Sequence, residues 1–254
     1  MRSAVIVADT RGPADVHGVH GTHGLTHWTC LARRAGLHGG WEAVEWARLP
    51  PGGVSGEHLH TRTEEVYVLL TGRGEITLDG HPHPVEAGDV VLTGLGTTHG
   101  LRNTGAEALD WLVIEMPARP HSHDHQDARP VGPPAPFPRP RVPIMRHAVV
   151  TNLRRVGPID PGVVLTGPLI RLEAVRLAPG ARVELAADGV EHTVFVTAGR
   201  GRAAAGEVRV PMEPGRSVTL PLGTSAAFTA GHDGLEYVHA VLAVAPPSGG
   251  GAAE

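Results

Sequence analysis

His58 and His60 are separated by one residue, Glu65 follows five positions later, and His99 lies further along the same half of the chain. Neutral imidazole nitrogens suit Fe, Ni, Mn, Zn or Cu, and one carboxylate offsets part of the charge of a divalent ion. Side chains alternate along a strand, so His58 and His60 share a face, and Glu65 can return to it from the next strand. Four protein donors on an octahedral ion leave two positions for water, a substrate or O₂. Other chemistries are excluded. All 22 basic residues are arginine, so neither a lysine Schiff base nor a phosphate-binding P-loop lysine is available. The single cysteine, Cys30, rules out an intrachain disulfide and a paired-thiol redox or zinc site.

Glycines frame these residues at regular spacing. Gly52 precedes His58 by six positions and Gly72 follows Glu65 by seven; Gly88 leads to Gly94, Gly96, His99 and Asn103. The pattern resembles the two sequence motifs of the cupin superfamily, with Gly94 standing where that family usually has proline, a change that touches no ligand. The resemblance implies a small jelly-roll barrel in which His58, His60, Glu65 and His99 converge on one divalent transition metal per chain, with Fe(II) favoured and Ni, Mn, Zn or Cu possible.

The elements that must position these residues are short strands. The 34 glycines and 23 prolines, with only 4% aromatic residues, punctuate runs such as Trp41–Arg48, Val66–Leu70, Glu75–Leu78, Val90–Thr93 and Leu109–Met116. No segment sustains a helical period. The chain also repeats itself. The stretch from Leu49 resembles that from Leu177, Val85–Asn103 resembles Met212–Ala230, and the closing strand from Leu109 resembles that from Leu235, at offsets of 128, 127 and 126. A near-constant offset means a duplicated unit. The fold class is therefore all-β, two tandem jelly-roll barrels (a bicupin) joined by a Pro-rich linker. The expected boundaries are an N-terminal arm (1–40), a metal-binding cupin barrel (41–118), a Pro/His-rich linker (119–145), a degenerate cupin barrel without a metal site (146–245) and a flexible tail (246–254). The proline spacing in residues 117–143 favours an extended, solvated linker.

The second unit departs from the pattern. Ala186, Asp188, His192 and Ala226 stand where the first has His58, His60, Glu65 and His99, while Gly180, Gly199, Gly215, Pro221 and Gly223 keep the turns. It is expected to pack against the first barrel, or to hold an organic ligand, but not a metal.

Further residues are candidates by position. Strand parity puts Tyr67 on the Glu65 face, where its phenol, or Glu65 itself, can move a proton as a catalytic group. Arg62 in the turn after the HxH pair and Arg102 after His99 are candidate substrate-binding groups at the barrel mouth. Glu57 and Glu64 have opposite parity and should face away. His17, His20, His23 and His27 crowd a Gly-rich segment read as a lid or oligomer-forming arm, and the HSHDH run at 121–125 is expected to do no chemistry. Trp28, Trp41 and Trp46 are expected to line a core or interface.

A formal net charge of −4 without a basic stripe excludes nucleic acid and anionic lipid as partners, and the apolar run Ala4–Ala8 is too short for a signal or membrane segment. A cytoplasmic protein acting on a small-molecule substrate is the expectation, as a homodimer closed by strand pairing at a barrel edge. The resemblance implies an Fe(II)-dependent oxygenase or dioxygenase-type tailoring enzyme of bacterial secondary metabolism. The alternatives are a non-redox isomerase, epimerase or polyketide cyclase, and a small-molecule-binding module without turnover.

Overall fold

The structure, a computed structural model, describes residues 4–21, 24–118 and 148–245. The linker expected at 119–145 with its HSHDH run, His23 and the tail at 246–254 lie outside the described residues. The first half contains β1 (Ile6–Asp9), β2 (Ala14–His17), β3 (Leu25–Arg33), β4 (Ala43–Leu49), β5 (Val54–Leu59), β6 (Thr63–Thr71), β7 (Arg73–Leu78), β8 (His81–Glu86), β9 (Asp89–Thr93), β10 (Thr98–Asn103) and β11 (Leu109–Pro117). The second half contains β12 (Ala148–Asn152), a single helical turn α1 (Leu153–Val156), β13 (Leu169–Leu177), β14 (Arg182–Ala186), β15 (Val190–Ala205), β16 (Val208–Met212), β17 (Arg216–Leu220) and β18 (Ser225–Ala243). The all-β class and the two cupin barrels read from the sequence are what the fold shows.

In the first barrel a seven-stranded sheet, ordered β12-β9-β6-β11-β4-β3-β2, faces a four-stranded sheet, β5-β10-β7-β8. Its central strands are buried on both faces, which is why Val66–Leu70 and Leu109–Met116 read as continuous apolar runs. Tyr67, Leu69, Trp111 and Val113 point into the barrel. Val66, Val68, Leu112 and Ile114 point the other way, into a second core shared with Phe195, Val238, Ala240 and Leu242 of the second barrel. The two large sheets thus pack back to back, and Trp41, only 1% exposed, lies in the seam. The outer strand β7 alternates buried and exposed positions, because its other face meets water.

The two halves exchange edge strands. β1, from the start of the chain, pairs antiparallel with β17 of the second barrel, and β12, from after the linker, pairs with β9 of the first. The registers correspond: Ile6 sits opposite Thr219 as Val149 sits opposite Leu92. The edge beside β9 is therefore filled from within the chain. The segment expected as an N-terminal arm over 1–40 is likewise built in: β1 belongs to one barrel's sheet, and the β2–β3 hairpin extends the other's.

Turn glycines hold the repeat. Gly72 has φ +78, and a Cβ there would lie 2.5 Å from the Ala108 carbonyl oxygen; Gly199 takes φ +73 at the equivalent turn, against Gly234. Any side chain at these positions meets both strain and backbone.

Candidate metal centre

His58, on β5, sits directly opposite His99 on β10. His60 follows at the end of β5, and Glu65 enters from β6, where it is flanked by Thr93 of β9 and Glu115 of β11. Within the first barrel one ligand atom from each of His58, His60, Glu65 and His99 lies within 4.8 Å of all the others. The structure brings together the four residues that the spacing singled out.

The hydrogen bonds orient the rings. His58 Nδ1 lies 3.0 Å from the Gly56 carbonyl and His60 Nδ1 lies 2.9 Å from Thr63 Oγ1. Both Nε2 atoms are thereby turned to the centre, the arrangement by which surrounding groups orient metal ligands. Glu65 Oε2 stands 2.8 Å from His99 Nε2 and 3.4 Å from His60 Nε2, yet none of these three buried atoms has a partner in hydrogen-bond geometry. Buried polar atoms are almost always satisfied. Three converging orphan donors fit a divalent cation that accepts their lone pairs, so the cluster can bind a metal.

The electrostatics prepare the ligand forms. Burial, followed by the neighbouring His99, pulls His58 down to about 4, so its ring is neutral. Burial alone would raise Glu65, but His60 and His99 outweigh it and hold the carboxyl well below its usual range. The Tyr67 phenol, buried beside Glu65, is pushed well above its ordinary value and stays protonated.

A cavity of about 330 Å³ opens on the cluster, walled by Trp28, Tyr67, Trp111 and Val113, with Glu45 and Glu65 in its lining. Parity places Tyr67 here; Trp28 and Trp111 join it through the pairing of β3, β4 and β11. Trp28 donates to Glu45 Oε2 at 2.9 Å, linking the hairpin to the barrel.

Other sequence candidates fall elsewhere. Arg62 is exposed in the turn before β6. Arg102 is an odd number of residues from His99 and so faces outward, beside Glu57 and Glu75. Neither lines the cavity, and strand parity explains the second case. Of the Gly-rich histidines, His17 is exposed and His27 pairs with Asp15 across the hairpin at 2.8 Å. His20 is different. It takes φ 52 in the turn between β2 and β3, and its ring stacks on His58 at 3.6 Å, with 8° between the planes. Sequence reasoning left His20 in a lid without a contact; the spacing held no signal, because the contact depends on the hairpin folding back over β5.

In the second barrel His192 and His239 are buried, with His192 Nδ1 3.0 Å from His239 Nε2. His192 Nε2 lies 3.1 Å from the Ala186 carbonyl, and His239 Nδ1 lies 3.1 Å from Glu173 Oε1. Every ring nitrogen is engaged, and among the described residues the metal-type cluster is that of the first barrel.

The Cupin domain family matches residues 45–115. The oxalate-binding protein of Thermotoga maritima is 30% identical over 102 residues, which are 40% of this chain and 84% of that protein. Among solved structures, the Escherichia coli protein YlbA superposes with a TM-score of 0.71 at 14% identity, over 97% of this chain and 93% of that one. The Escherichia coli pirin YhhW, solved in complex with nickel(II), superposes at 0.67 with 13% identity, over 95% and 100%. At such low identity the two structures speak for the fold alone. They nevertheless span both barrels, while the sequence match falls on the half that carries the four ligands; the chain belongs to the cupin family.

Proposed function

We propose that the protein is a metal-dependent cupin enzyme whose first barrel transforms a small organic molecule. The finer reading is a dioxygenase-type tailoring reaction of bacterial secondary metabolism with Fe(II) as the ion. The observation that carries it is a three-histidine, one-carboxylate cluster opening on an aromatic cavity. His58, His60, Glu65 and His99 would hold the ion. When bound, it supplies Lewis acidity and, if it is iron, electron transfer to O₂.

The remaining work falls to the chain's own residues. Trp28, Trp111 and Val113 exclude water and orient a flat apolar substrate. Tyr67 keeps its proton beside Glu65 and can offer it as a hydrogen bond to an oxygen of the substrate. His20 and the β2–β3 hairpin roof the side of the cluster next to His58. The Thermotoga maritima relative's name raises oxalate as a ligand. The described residues lining this cavity include no arginine to pair with a second carboxylate, and its walls are largely aromatic and aliphatic, which favours a larger, mostly apolar molecule.

Glu45 supports a second reading. A carboxyl raised by burial, in the wall of the cavity, is suited to move a proton without redox change, as an isomerase or cyclase requires. Oxygen-electrode assays of the iron-loaded protein against phenols and β-dicarbonyl compounds separate the two. Substrate-dependent uptake that is lost in His58→Ala supports the oxygenase; turnover without uptake gives the second reading its place. No helix is long and apolar enough to cross a membrane among the described residues. A homodimer belongs to the proposal only through an edge the chain does not fill itself, such as β2.

A further inference from the structure

The second barrel has lost the metal ligands but kept its interior. A cavity of about 850 Å³ opens there, larger than that of the first barrel. The reason lies in the preceding segment: in the first barrel the β2–β3 hairpin roofs the cavity, whereas β12 is followed only by α1 and a short 3₁₀ turn before β13. Val175, Val183 and Leu185 line the cavity and are left half-buried. Partly exposed aliphatic side chains around a large concavity are a feature of organic ligand sites.

One wall is polar, and its proton count is incomplete. Glu173, His239, His192 and the Ala186 carbonyl form a chain of three contacts at 3.0–3.1 Å. Each contact needs one proton. Two neutral imidazoles supply two, so with Glu173 ionised one contact is left with acceptors on both sides. Burial lowers both histidines and keeps them neutral. Arg171 reaches Glu173 Oε1 at 3.3 Å but is 54% exposed at the rim. The chain is thus short of one proton over its three contacts, and its Glu173 end faces an apolar cavity. Tyr237, pushed to about 12 by burial and the Glu173 charge, remains a neutral neighbour.

We propose that the second barrel binds a largely apolar ring compound bearing a phenol or enol hydroxyl. Its body lies against Val175, Val183, Leu185 and Val241, and its hydroxyl donates to Glu173 beside His239. Among the described residues the cluster of metal-ligand type is that of the first barrel, so the ligand proposed here is organic. A carboxylate ligand is disfavoured by Glu173. This site is independent of the metal centre and stands whichever reaction the first barrel performs.

The test uses the full chain and two probes of similar shape, 2-naphthol and 2-methoxynaphthalene, followed by fluorescence titration. The native protein is expected to bind 2-naphthol at least tenfold more tightly than the methyl ether, which has no proton to donate. Glu173→Gln should reduce that preference to within about threefold, because its amide supplies the missing donor itself. Val183→Trp fills the cavity and should weaken 2-naphthol binding at least tenfold with metal content unchanged. If Val183→Trp fails to fold, the preference in the native protein and its loss in Glu173→Gln still decide. In His58→Ala, whose first barrel no longer offers a metal to a phenol, the same preference for 2-naphthol over the methyl ether should persist. Equal affinity for the two probes, no binding of 2-naphthol, or binding lost in His58→Ala but kept in Val183→Trp would overturn the proposal.

Discussion

Glu64 and Glu191 occupy equivalent positions in the two barrels and make the same contact in opposite directions. Glu64 accepts from the backbone of Thr166 and Gly167 and from the Thr166 hydroxyl at 2.7–3.0 Å. Glu191 accepts from the backbone of His38, Gly39 and Leu222 and from Trp41 Nε1 at 2.7–2.9 Å. Each carboxylate starts the strand that carries the ligand position of its own barrel, and each fastens the loop entering the other barrel. The receiving glycines correspond too: a Cβ at Gly39 would lie 2.9 Å from Glu191 Oε2, and one at Gly167 3.0 Å from Glu64 Oε2.

Removing either carboxylate strands several buried N–H donors. Glu191→Ala and Glu64→Ala should each lower the free energy of unfolding by about 3–5 kcal/mol, measured by denaturant titration. Glu191→Ala should do so without loss of metal, since it is remote from the four ligands. A cost under about 1 kcal/mol for Glu191→Ala contradicts the latch.

Strand exchange makes a second prediction. A chain lacking residues 1–9 exposes the β17 edge of the second barrel, and unpaired strand edges promote association. That variant should aggregate on heating well before the native protein, while still binding metal in the first barrel at low temperature. Unchanged thermal behaviour would show that β1 adds nothing to the second barrel.

His20 gives a third. Its ring covers one face of His58 without joining the cluster of ligand atoms. His20→Ala should keep the metal stoichiometry and release the ion to a chelator several-fold faster. Equal release rates would remove His20 from the roof of the site.

The paired histidines of the second barrel predict a pH effect. Burial lowers both His192 and His239, so below the ordinary histidine value of about 6.5 the unfolded chain takes up protons that the folded chain refuses. Stability therefore falls as the pH drops from about 7 towards 5. In the metal-free protein, replacing both histidines by leucine should flatten that fall in the thermal midpoint. A variant as pH-sensitive as the native chain contradicts the assignment.

Local spacing made the ligand set legible, because His58, His60 and Glu65 lie on two strands consecutive in sequence and on the short turn between them, where parity and turn glycines do the positioning. The duplication exposed the two barrels. The joining of the two barrels depends on contacts between residues more than a hundred positions apart, and the His20–His58 stack on the folding back of the β2–β3 hairpin. Glu64 has the parity of an outward residue, and outward here means into the other barrel. The pairing of β1 with β17 was hidden because Ile6 and Val149 correspond at an offset of 143, away from the 126–128 of the main repeat. Arg102 was assigned to the mouth although parity alone sends it outward.

The central claim is that one barrel holds metal through His58, His60, Glu65 and His99, and that the other holds none. Elemental analysis of the purified native protein beside His58→Ala and the double variant Asp188→Ala/His192→Ala tests it most directly. The expected result is about one transition-metal ion per chain in the native protein and the double variant, and next to none in a folded His58→Ala. Full metal retained in His58→Ala, or half the metal lost in the double variant, would contradict it.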